Sequence, residues 1–182
     1  VKIIAEAASM MANVKYEINL ISGIYEILPN RTGAGILQKN LELLGNISYS
    51  DYEIKYANTI LKESGKPLLG LDGEVKPLKQ TMPAQGGSTD VGDVSQVVPV
   101  ISLGVTTAAQ GGPWHSWAVV ACTGMSIGHK CLIYASKVLA MTMLDLYDNP
   151  NMIEDVKKEF LIKKGDRVYH PRIPAGPPKL ID

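Results

Sequence analysis

Residues 98–105 read V-P-V-I-S-L-G-V. Apolar side chains fall on both parities of this run. A strand apolar on both faces has to be covered on both, as a central strand is between helices. Just before it stands G-S-T-D-V-G-D-V-S at 87–95, and just after it A-A-Q-G-G-P-W-H-S-W at 108–117. The order is an acidic loop, an apolar segment, and a histidine on a glycine-rich loop. Loops positioned by rigid elements are where chemistry concentrates.

Working outward, residues 126–147 predict a long helix, apolar over most of its circumference. Its narrow polar stripe of Lys130, Lys137 and Asp148 implies a mostly buried helix. Pro150 is expected to stop it. Asn151 is then expected to cap a last amphipathic helix with Ile153, Val156 and Phe160 inward. Toward the N-terminus, residues 2–12 carry apolar side chains at helical spacing. Residues 14–21 alternate, with Val14, Tyr16, Ile18 and Leu20 against Lys15, Glu17 and Asn19. That pattern predicts a half-buried strand in an antiparallel sheet. Two further helices are expected, at about 33–44 ending at Gly45, and at about 51–64 with a capping box from Ser50 and Glu53. Residues 65–88 read as a long loop, and the tail from His170, with four prolines, as extended. The expected fold class is α/β, with helices packed on a mixed sheet.

Among the 182 residues, 18 Lys and Arg balance 18 Asp and Glu. That balance, without a basic run or zinc-finger spacing, argues against nucleic acid. Cys122 and Cys131 are too few for a disulfide framework and fit a reducing, cytoplasmic setting. No apolar run approaches membrane-spanning length. The chain opens at Val1 inside a helical pattern, which suggests the C-terminal piece of a larger enzyme.

His115 leads the candidates for chemistry. A neutral imidazole on a short loop, flanked by Trp114 and Trp117, suits a metal ligand or a general base. The alternative is a surface histidine beside two packing tryptophans. Asp90 and Asp93 precede a short apolar segment. A helix cap by Thr89 or Asp90 and a carboxylate supporting a histidine both suit that position. His129, one turn into the long helix, reads as structural, either neutral and hydrogen-bonded or exposed. Asn30 sits in the Pro29-Asn30 turn. Gly86-Gly87 and Gly111-Gly112 lack the spacing of a phosphate loop.

Together, G-S-T-D-V-G-D-V-S at 87–95, V-V-P-V at 97–100, P-W-H-S-W at 113–117 and G-M-S-I-G-H-K at 124–130 resemble the C-terminal part of the M20 peptidase and amidohydrolase family. The last segment points to its aminobenzoyl-glutamate branch. The resemblance implies two domains: residues 1–28 as the end of an α+β lid or dimerisation domain, and 29–182 as the C-terminal part of a metallopeptidase-type catalytic domain. It implies two zinc ions and cleavage of an N-acyl amino acid amide. His115 matches a metal ligand, Asp90 and Asp93 an acidic loop beside the metals, and Asn30 a substrate-side position. Trp114 and Trp117 would line a pocket for an aromatic acyl group. The family's H-x-D pair and Glu-Glu pair are absent from this sequence. The chain alone is therefore expected to be inactive, completed by its missing N-terminal half or by a second copy. The competing reading is a non-catalytic assembly module.

Overall fold

The long helix organises the molecule. In the computed structural model, which describes residues 1–79, 87–173 and 175–177, the helices are α1 (Lys2–Ala12), α2 (Arg31–Leu44), α3 (Asp51–Glu63), α4 (Val91–Ser95), α5 (Trp117–Thr123), α6 (Ser126–Asp148) and α7 (Pro150–Lys164). α6 packs against α2, α5 and α7, α2 against α7, and α3 against α5. One core cluster joins Ala57, Ile60 and Leu61 of α3 to Ala109, to Ala118 and Cys122 of α5, and to Ile127 of α6. Farther along α6, Val138 and Thr142 are buried, as are Ile36 and Leu37 of α2 and Val156 and Phe160 of α7.

The helix ends follow their sequence signals. Ser50 and Glu53 form the full capping box of α3. Gly45 ends α2 with a positive φ of 78°. Two expectations shift at α7. Asn149, not Asn151, is its N-cap, and Pro150 opens the helix. A proline is tolerated at the first helical position because that N–H lacks a partner in any helix. Ile153 points outward, while Val156 and Phe160 face the core.

The α/β expectation is overturned. Among the described residues there is no strand and no sheet. Residues 14–22 take no regular secondary structure, and both parities of the alternation face solvent. The run at 98–105 is also outside any strand, and none of its residues is buried. Extended backbone becomes a strand only when a neighbour accepts and donates its ladder of hydrogen bonds. Here no described segment lies alongside either run as a ladder. The helix–strand unit expected at 1–28 is thus a helix followed by chain without regular secondary structure, and α1 buries no residue.

α5 and α6 meet at a corner of 70°. Gly128 makes the corner possible, since a Cβ there would run into the Thr123 backbone. No single described helix is long and apolar enough to cross a membrane, although the bent α5–α6 pair together has the length and composition.

Candidate functional site

The turn that carries His115 is built by its neighbours. Ser116 is the N-cap of α5: its Oγ accepts the Ala118 N–H at 3.3 Å and donates to the Pro113 carbonyl at 2.7 Å. These two bonds close the chain over residues 113–116 and lift His115 to the apex. His115 takes a φ of 54°, the left-handed region that residues with a Cβ seldom adopt. Its side chain is exposed. Strain of this kind persists only where surrounding structure fixes it, and it clusters at functional sites. We expect the His115→Gly variant to be about 1 kcal/mol more stable than His115→Ala, because only glycine escapes the left-handed penalty. Parallel urea titrations of the two variants check this, and equal midpoints would mean that the turn carries no strain.

Beside the turn lies a cavity of about 200 Å³ whose walls include Ile60, Asp72, Thr107, Gln110, Trp114 and Ala118. Trp114 lines it while remaining 69% exposed. Trp117, the first residue of α5, is also exposed and is not part of this wall. The indoles therefore leave the imidazole in contact with water.

Asp90 and Asp93 lie at α4. Asp90 is the N-cap residue, but its side chain makes no capping bond; Thr89 Oγ1 accepts the Val91 N–H instead, at 3.3 Å. Asp93 is engaged elsewhere. Its Oδ2 accepts the Tyr25 N–H at 3.2 Å and its Oδ1 accepts the Tyr169 hydroxyl at 3.0 Å. Asn30 is 5% exposed and is the N-cap of α2. Its Oδ1 accepts the Gly33 N–H and its Nδ2 donates to the Val156 carbonyl, both at 2.8 Å. Glu159 completes that cap by accepting the Arg31 and Thr32 amides. Burial opposes the Glu159 carboxylate, but the Lys163 ammonium and these donors outweigh it and hold its pKa down to about 2.

His129 is exposed and borders an open groove with Lys130, Tyr134 and Lys137. His170 is exposed, and its carbonyl accepts the Tyr25 hydroxyl. Of the glycine pairs, Gly86 lies outside the described residues. No group of three or more His, Cys, Asp or Glu side chains suited to a metal ion occurs among the described residues.

A second polar cluster, at Glu53, is one that the sequence does not announce as a cluster. Glu53, 2% exposed, accepts from Lys130 at 2.6 Å, from Ser126 Oγ at 2.6 Å and from the Ser50 N–H at 2.7 Å. Burial penalises its charge, yet these donors prevail and hold its pKa down to about 2. Lys130 also donates to the Ser48 carbonyl and lies over the Tyr49 ring. The cluster ties the start of α3 to the start of α6. The capping box is legible in the sequence; its use of the Lys130 charge, 77 residues away, is not.

The chain is 28% identical over 95% of its length to a p-aminobenzoyl-glutamate hydrolase subunit of Escherichia coli (strain K12). The match spans 41% of that protein, so the chain covers less than half the length of this relative. No family model matches the chain. No solved structure matches it. The likeness supports a relation to the hydrolase subunit, in line with the resemblance carried by the 87–95, 113–117 and 124–130 stretches.

Proposed function

We propose that this chain is the C-terminal portion of a metal-dependent amidohydrolase that cleaves an N-acyl amino acid of the aminobenzoyl-glutamate kind. The relation to the hydrolase subunit supports a hydrolase-related function. The observation that carries the finer reading is the strained, exposed imidazole of His115 beside a cavity. A neutral imidazole presented this way suits zinc. Zinc sites take about three or four protein ligands. The donors within the described residues do not complete such a set. In this reading His115 supplies one ligand of a two-zinc site, and the remaining ligands and the carboxylate that activates water come from polypeptide outside this chain. No step of hydrolysis is assigned to this chain's own residues. Trp114 would form one wall of the acyl pocket, with Trp117 and Asn30 farther from it. Asp90 keeps an exposed carboxylate, which accepts from Thr89 Oγ1 at 3.5 Å, whereas Asp93 would first have to leave its present partners. A cytoplasmic setting fits the two free thiols.

The test is metal content and p-aminobenzoyl-glutamate hydrolysis by the native product that contains this sequence, with and without His115→Ala. Loss of bound zinc together with about a hundredfold loss of activity is expected. Unchanged zinc and turnover would remove His115 from the metal site.

A second reading has its own observation. Ile3, Ile4, Met10 and Met11 on α1, and Val14, Tyr16, Ile18 and Leu20 beyond it, are all exposed. So much apolar surface in one segment marks an interaction site, so an assembly module that pairs with a second copy or a partner chain is the alternative. Sedimentation at high concentration separates the readings: a strict monomer would sink the homo-oligomer form.

A further inference from the structure

Residues 167–172, beyond α7, return over the segment that leads into α2. Asp93 stands between them, with one carboxylate oxygen on the Tyr25 N–H and the other on the Tyr169 hydroxyl. The Tyr25 hydroxyl donates to the His170 carbonyl at 3.1 Å. The two tyrosine rings tilt against each other, centroids 5.6 Å apart, and the Arg172 guanidinium lies 4.2 Å from the centre of the Tyr25 ring. The backbone of Arg172 also closes on Gly23.

The same segment is also pinned to α4, the helix that carries Asp93, by contacts the tail does not share. Ser95 Oγ accepts the Leu28 N–H at 2.8 Å, and Gln96 Nε2 donates to the Glu26 carbonyl at 2.9 Å. Gly92 lets the two backbones meet, since a Cβ there would strike the Tyr25 carbonyl. The two sets of contacts differ in kind. Ser95 and Gln96 are buried, whereas the tail contacts are made by two half-buried tyrosine rings, their two hydroxyls and an exposed guanidinium. Contacts of that sort open locally far more often than buried ones.

We propose that residues 167–172 form a releasable latch over residues 23–28, with the Asp93 carboxylate as its catch. With the latch closed, both Asp93 oxygens are spent on Tyr25 and Tyr169. With it open, the Tyr169 side of Asp93 is exposed, while Ser95 and Gln96 still hold residues 26–28. Tyr169 and Arg172 are positioning residues in this device: they act on Asp93 and Tyr25, not on a ligand. The latch does not depend on the hydrolase reading.

Amide hydrogen exchange on the intact chain tests it, comparing wild type with Tyr169→Phe and Arg172→Ala. Tyr169→Phe keeps the half-buried ring and removes one hydroxyl, so the fold has no reason to fail. The Tyr25 amide is expected to exchange roughly five- to tenfold faster in each variant, the factor one surface hydrogen bond or cation–π contact supplies. The Leu28 amide, bonded to Ser95, and the amides of α3 are expected to keep their wild-type rates. A Tyr25 amide as slow as in wild type overturns the proposal. So does equal acceleration of the α3 amides, which would make Tyr169 and Arg172 general stabilisers.

Discussion

Replacing Lys130 by methionine is expected to lower stability at neutral pH by about 1–3 kcal/mol, the cost of leaving the buried Glu53 acceptor without a partner that is itself partly open to solvent. Glu53 sits almost wholly inside, and the Lys130 ammonium is the cation that pairs with it. Ser126 and Ser50 alone cannot offset the desolvation. The pH dependence carries the signature. In the native protein the Glu53 pKa lies near 2, below its ordinary 4.5. Its stabilising contribution is therefore complete above pH 4.5 and is lost as pH falls toward 2. In the variant the penalty exists only while Glu53 is ionised. The deficit relative to wild type should be largest near neutral pH, begin to shrink before the medium reaches the ordinary carboxylate value of 4.5, and keep shrinking toward pH 2. Urea titrations at about pH 7 and about pH 3.5 measure both. A deficit that ignores pH would assign the loss to the packing of the lysine stem over Tyr49 rather than to charge.

Leu61→Ala should cost about 2–5 kcal/mol, the usual range for emptying a leucine-sized space in a closed core. Leu61 is fully buried where α3 meets α5 and the start of α6. It also approaches Gly112, the residue before the Pro113 turn. The damage should therefore concentrate near the candidate site. Amides at 109–118 should exchange faster by a larger factor than those of α7, which belongs to a separate patch of buried residues. A uniform acceleration would show that the two patches open as one unit. Denaturant midpoints give the total, and site-resolved exchange gives its distribution.

Most helices and their caps are legible from local signals, because they are decided within a few residues. The periodicity of 33–44 and 51–64, the Ser50–Glu53 box and the Gly45 stop all appear in the structure. The strands expected at 14–21 and 98–105 do not form, because a strand is a relation between segments and periodicity describes only one of them. Val100 and Ile101 have the composition of a strand covered on both faces, but they are only half-buried, with Ile101 against Gly33 of α2. Among the site residues, the His115 loop is legible as glycine, proline and tryptophan around an imidazole. Its left-handed backbone is not, since no glycine stands at that position. Asn30 reads as a turn residue, and it is indeed spent on backbone groups. The engagement of Asp93 by Tyr25 and Tyr169, 68 and 76 residues away, leaves no local trace at all.

The corner at Gly128 has a mechanical side. α5 is a rigid arm of seven residues, about 10 Å long, whose far end carries the His115 turn. An arm of that length swung by about 10° displaces its tip by about 2 Å. The missing methyl group at position 128 thus sets the gauge between the imidazole and everything it has to meet, from a point the imidazole never touches.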